Sequence, residues 1–204
     1  MYFIVKGYGN LPNHVINTAI LLVSKITKLE WAHEPQKSII YQLKQIASLS
    51  PAHRTLGLAM YASLVQEMSL NVADQRVVPV GKQLRVMVRF KTELLDILRT
   101  ALAALQGCLL AQQQQQQQQQ GEREAALRLL RAVLSFNFKP FEASDADEFT
   151  LYAPDSWAPV LEAPDLQDAL LATYFAAPAP PCSVLALECL CLVTAARTGV
   201  FRGD

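Results

Sequence analysis

Residues 11–31 constrain this chain more than any other stretch. They read LPNHVINTAILLVSKITKLEW. Pro12 stands where a first helical turn tolerates proline, since the N–H it lacks would be unpaired there anyway. Val15, Ala19, Leu22, Ile26 and Leu29 then recur at helical spacing, with Ile16, Ile20 and Val23 beside them. Asn17, Ser24, Lys25 and Lys28 mark the opposite stripe, which is expected to face water. A helix with so broad an apolar arc has to pack on more than one side. The chain should therefore be built of helices laid against helices.

The rest of the sequence supplies them. The first helix is expected over 12–33, ending before Pro35. Ser38 reads as the cap of a second over 38–49, with Ile39, Ile40, Leu43, Ile46 and Ala47 on one face. Ser50-Pro51 is a restart signal, serine as N-cap and proline as first helical residue, for a helix over 51–69. That helix carries Leu56, Met60, Leu64 and Met68, with Tyr61 and Val65 adjacent; Gly57 should weaken it slightly. Residues 71–81 read as a loop. In 82–91, Leu84, Val86 and Val88 alternate like a strand, while Arg85 and Arg89 fit a helical face, and a short or irregular helix is favoured. The next helix, 92–111, has the stripe Leu94, Leu98, Ala101, Leu105 and Cys108.

Nine consecutive glutamines, 112–120, read as a solvent-exposed connection, with a helix extension or an interaction tract as alternatives. A helix over 122–138 turns Leu127, Leu130 and Leu134 inward, widened by Ala126, Val133 and Phe136, with Arg123, Arg128 and Arg131 outward. Residues 139–156 hold Glu142, Asp145, Asp147 and Glu148 and read as an acidic connection. A single turn at 157–162 follows, then a helix capped by Asp165, and a last one over 184–197 capped by Ser183 and apolar on nearly every face. No segment reads convincingly as a strand. The fold class is all-α, as HEAT-like helical hairpins, with 1–204 a single helical-repeat segment interrupted at 112–120 and 139–156. A compact α-domain would show the same periodicities.

The chemistry of sites is thin. His14, His33 and His53 are scattered, with no metal-ligand spacing among them. No nucleophile elbow, phosphate loop or dinucleotide fingerprint occurs. Gly7-Tyr8-Gly9 lacks the third glycine of such a fingerprint, and the acidic stretch lacks the spacing and central glycine of an EF-hand. Cys189 and Cys191 point to opposite sides of a helix, so they cannot share a metal, and all four cysteines read as reduced thiols. No catalytic, cofactor or metal residue is assigned, and binding residues are unknown. Lys82, Arg85, Arg89 and Lys91 form a small basic cluster, read as an exposed face or a contact for an acidic protein. Trp31 and Trp157 read as core anchors. The net charge of zero gives no field for nucleic acid. The most apolar window, 184–196, is below the ~18 residues that span a bilayer and contains Glu188. With no signal-peptide pattern at the start, a soluble intracellular protein is the default.

The order of segments is more specific than any one of them. Ile26-Thr27-Lys28-Leu29 followed by Trp31 comes first. The run from Leu58 to Leu64, then Phe90 and 95–98, come next. Leu129-Leu130 through Leu134, Asn137-Phe138, Pro154-Asp155-Ser156-Trp157 and the last cysteine-containing helix up to Phe201 complete the series. In this order and spacing the chain resembles, over nearly its whole length, the exportin seven and Ran-binding protein seventeen family of nuclear transport receptors, in the importin-β superfamily. Family members are several times longer, and the glutamine run looks like an insertion.

The resemblance implies a section from near the N-terminal end of a Ran-dependent receptor. Such a receptor binds folded protein cargo, the GTPase Ran and nucleoporins, and shuttles between nucleus and cytoplasm through the nuclear pore. It implies a binding mechanism without a covalent step, no cofactor, no nucleic acid and no membrane insertion. It also implies that Ran is gripped by several repeats, so this stretch alone should bind it weakly. The alternative is a static α-helical scaffold without GTP-linked binding, and an unrecognised helical enzyme is a third class.

Overall fold

A computed structural model describes residues 2–31, 37–69, 80–110, 116–136, 153–176 and 179–196. Among these there is no strand. Ten α-helices follow one another: α1 (Tyr2–Gly7), α2 (Asn13–Trp31), α3 (Lys37–Leu49), α4 (Pro51–Met68), α5 (Val80–Phe90), α6 (Leu94–Leu110), α7 (Gln116–Leu134), α8 (Ala158–Leu161), α9 (Pro164–Ala176) and α10 (Cys182–Thr194). The fold is all-α, as the periodicities predict. The chain divides into two compact units, 1–94 and 95–204.

In the first unit α4 is the common wall. It packs against α2, α3 and α5. The expected cap is in place: Ser50 is extended, its hydroxyl accepts from the His53 N–H, and Pro51 opens the helix. Half of the residues in α4, from Leu56 to Met68, are buried, with Tyr61 and Val65 fully so. Tyr61 donates its hydroxyl proton to Ile40 O at 2.8 Å, which fixes α3 across it. Gly57 corrects the view of a slight weakness. A Cβ there would stand 2.9 Å from Ala47 Cβ and 3.2 Å from that residue's backbone, so the glycine is what lets α3 and α4 close. It forgoes about 1 kcal/mol of helix propensity relative to alanine and gains backbone-to-backbone packing.

The first helix also corrects an expectation. α2 is present where its spacing predicts, with Ile16 and Ile20 buried and Asn17 and Lys25 exposed as expected, but its buried face is turned toward Ser24 and Lys28 and away from Leu22, Ile26 and Leu29. Ile16, Ile20, Ser24, Thr27, Lys28 and Trp31 are buried, while Leu22, Ile26 and Leu29 are 58%, 46% and 51% exposed. The buried row runs i, i+4, i+8, i+11, i+15, as regular as the apolar one but disguised by two hydroxyls. Ser24 Oγ lies 3.0 Å from both Ile20 O and Ser63 Oγ of α4, and Thr27 donates to Val23 O at 2.8 Å. Hydroxyls that bond the preceding turn or a facing hydroxyl lose little on burial. Their small size lets α2 lie close on α4. Trp31 ends the row, fully buried, its ring edge-on to Phe90 of α5 at 5.4 Å and 81°.

In the second unit the stripes of α6 and α7 are where the sequence puts them. Leu94, Leu98, Ala101, Leu105 and Cys108 are buried, as are Ala126, Leu127, Leu130, Val133, Leu134 and Phe136. α10 packs on α7 and α9. Several helix starts differ from expectation. α7 begins at Gln116, so the last five glutamines are its first turns rather than a connection. Ser38 lies inside α3, not before it. Asp165 lies in the first turn of α9, where its charge favours the dipole without capping. α10 starts at Cys182 after Pro181 with no side-chain cap, and Ser183 is buried within it. Arg123 is half-buried, not outward like Arg128 and Arg131. The run at 80–90 is a regular helix. Trp157 is buried at the end of a 3₁₀ turn, Asp155–Trp157, that leads into α8. The acidic stretch with Glu142, Asp145, Asp147 and Glu148, and His33, lie outside the described residues.

The turned face of α2 gives a clear contrast. Ile20→Asp should destabilise the chain by about 3–5 kcal/mol, as an uncompensated buried charge does, whereas Ile26→Asp should stay within about 0.5–1 kcal/mol. Urea unfolding followed by circular dichroism measures both; equally large costs at the two positions would restore the broad arc read from the sequence, which holds both residues.

Candidate functional site

α5 carries the one basic face of the first unit that sequence reading singled out. Its buried side is Gln83, Val86, Met87 and Phe90. Lys82, Arg85 and Arg89 follow i, i+3, i+7 on the opposite side, and all three are exposed, as is Lys91 just beyond the helix. At 1.5 Å of rise per residue the row from Lys82 to Arg89 is about 10 Å long. Arg85 Nε donates to Gly81 O at 3.3 Å, one turn back, which holds its stem along the helix. Val88, 45% exposed, flanks the row. The helix contains no acidic residue. The structure thus places Lys82, Arg85 and Arg89 along one exposed side of α5, where they can hold carboxylates or other anions by charge and hydrogen bonding, while Lys91, nine positions from Lys82, is turned half a revolution away from it.

The other candidates resolve into structure. His53 has partners that the sequence did not suggest. Its Nδ1 lies 2.7 Å from Ser50 Oγ, and its Nε2 lies 3.3 Å from Val5 O. The tautomer that serves both carries the proton on Nε2, donating to Val5 O while Nδ1 accepts from the serine hydroxyl. Tyr8 lies against the ring at 6.0 Å. This serine–histidine pair resembles an activated nucleophile only in distance. The serine hydroxyl is held by the helix it caps and the imidazole is oriented by a backbone carbonyl, so the pair ties α1 to the start of α4. A histidine at the third position after a capping serine was the available signal. His14 is exposed on the first turn of α2. Gly7-Tyr8-Gly9 closes α1: Asn10 and Leu11 N–H groups bond Gly7 O, and Gly9 has φ +93°, which only glycine adopts readily. Among the described residues, no group of three or more His, Cys, Asp or Glu could hold a metal, and no helix is long and apolar enough to cross a membrane.

Glu188, the one charge in the apolar α10, reaches Arg131 Nε of α7 at 2.9 Å. Both side chains are about half exposed, so the pair contributes little stability. It does account for a carboxylate on an otherwise apolar helix.

The chain is 30% identical to Ran-binding protein 17 of Mus musculus over 91% of its residues, and 30% identical to Ran-binding protein 17 of Homo sapiens over 97%. The similarity therefore runs through nearly all the segments whose order carries the resemblance. The chain spans about a fifth of the length of these relatives, 18% and 19%. No family model matches it, and no solved structure does.

The thiols offer a check on the second unit. Cys108, Cys182 and Cys189 are buried and Cys191 is exposed. Burial, then the Glu188 charge, pushes the Cys189 thiol up to about 12, against a smaller opposing pull from Arg131. Burial first, then Glu124, raises Cys182, with Arg123 and Arg128 lowering it. Both thiols thus stay protonated and shielded at pH 8. Ellman's reagent at pH 8 should therefore titrate one thiol per native chain and four after unfolding, and Cys191→Ser should remove the native one. Rapid reaction of Cys189 in the native chain would contradict the packing of α10 on α7.

Proposed function

We propose that this chain serves Ran-dependent transport between nucleus and cytoplasm, as a run of helical repeats from an exportin-like receptor. The reading rests on one observation above others: similarity to Ran-binding protein 17 that extends along more than nine-tenths of the chain, in a chain whose described residues form helices packed on helices one to three places away in the order. Under this reading residues 1–204 are one helical-repeat segment. The mechanism is binding alone. Helices that touch only nearby helices spread bending over many small interfaces. Cargo and GTP-loaded Ran, bound to such a frame, then couple through the shape each prefers. Nucleoporins are the expected contacts during passage. No residue is assigned to Ran or to cargo.

The test is titration of the purified chain with Ran loaded with GTP or with GDP, followed by calorimetry. GTP-selective binding is expected, with a Kd above about 10 μM, because contacts spread over several repeats are only partly represented here. Identical behaviour of the two nucleotide states, or no heat up to ~300 μM, would favour a static helical scaffold instead.

A further inference from the structure

We infer that the outer face of α5 is a docking site for an acidic helical segment of a protein partner. The inference stands on this surface and holds whether or not the chain acts with Ran. Lys82, Arg85 and Arg89 lie in one row, exposed and opposite the buried side of the helix. Their placement is not explained by the helix's own stability. Lys82 is in the first turn, where the positive end of the helix dipole disfavours a cation. No acidic residue within α5 offers Lys82 or Arg85 an i, i+4 pair. The next carboxylates along the chain are Glu93, and Asp96, which pairs with Arg99 at 3.7 Å. Only Arg89, in the last turn, is where the dipole would put a cation. Lys82 therefore opposes the dipole of its helix, and Arg85, with the like charge of Arg89 at i, i+4, gains within the helix only its bond to Gly81 O.

The spacing selects the partner. The three cations are separated by about 4.5 and about 6 Å along the axis. A second helix presents carboxylates at the same intervals when Glu or Asp recur at i, i+3, i+7. An extended acidic strand, with one-sided side chains every ~6.6 Å, fits less well. Two long basic side chains with aliphatic stems beside exposed Val88 offer a partner helix apolar contact as well as charge. Nucleic acid is disfavoured, since no aromatic side chain occurs on the exposed face for a base to stack on and a row about 10 Å long meets only two or three phosphates.

The probe is a labelled 18-residue helical peptide with glutamates at i, i+3 and i+7, and an isomer of the same composition with its glutamates consecutive. Binding to the full chain is followed by fluorescence anisotropy. The spaced peptide should bind at least about fivefold more tightly than the isomer. Lys82→Glu/Arg85→Glu/Arg89→Glu should weaken it at least about tenfold, and Lys25→Glu/Lys44→Glu, which reverse exposed charges on α2 and α3, should change it less than about twofold. Should the triple variant lose its helical signal, Lys82→Gln/Arg85→Gln serves in its place, with an expected loss of at least about threefold. Equal binding of the two peptides, indifference to the α5 substitutions, or tighter α5-dependent binding of oligouridylate than of the spaced peptide would each overturn the inference.

Discussion

The close approach of Gly57 to Ala47 is the contact on which the rest of the first unit depends. With no Cβ on α4 at that point, the backbone of α3 sits against it, and the Tyr61 hydroxyl comes within 2.8 Å of Ile40 O. The remaining sides of α4 then take α2 and α5. On the α2 side, closeness is again obtained with small residues, Ser24 facing Ser63. α4 is thus gripped by a glycine contact on one side and a hydroxyl pair on another, each demanding a short separation. A larger residue at Gly57 would move α3, and one at Ser24 or Ser63 would move α2 and with it the aromatic contact of Trp31 with Phe90, which joins α2 to α5.

Much of the architecture is legible in the sequence, for reasons that can be stated. Helix positions follow from apolar spacing and from punctuation, most clearly Ser50-Pro51, where the side chain and the proline both act within one turn. The stripes of α6 and α7 are read correctly because, Glu122 apart, their buried positions hold apolar residues, so hydrophobicity and burial coincide. α2 fails the same reading because both of its faces are regular. Hydropathy ranks Leu22, Ile26 and Leu29 above Ser24 and Thr27, yet a serine or threonine that bonds its own backbone is nearly as cheap to bury as alanine and narrower than leucine. Only knowledge of what lies across the helix, here Ser63, decides between the faces. Ser38 and Ser183 fail as caps for a related reason. A serine near a helix start is equally compatible with the first turn, and what precedes it in space settles which role it has.

For the candidate surface the balance is similar. The basic residues at 82–91 are visible in the sequence, but the choice between strand and helix changes what they are. As a strand, Arg85 and Arg89 would share a face without Lys82. As the helix α5 they form one row of three, with the buried side supplied by Gln83, Val86, Met87 and Phe90. The contact of His53 with Val5 O was not legible, because it joins residues 48 apart in sequence. The similarity to Ran-binding protein 17 and the helical packing belong to the same picture, in which binding surfaces are helix faces held in place by neighbours.

The most direct test of this picture is native-state amide exchange over residues 1–94. If α4 is the wall against which the other helices are held, the amides of residues 56–65 should be the slowest in that unit. They should open only with global unfolding, and those of α1 and α5 should open earlier. Substituting Gly57 by alanine should then speed exchange in α3 and α4 together. Slowest exchange in α2, or an effect of the substitution confined to α4, would contradict the account.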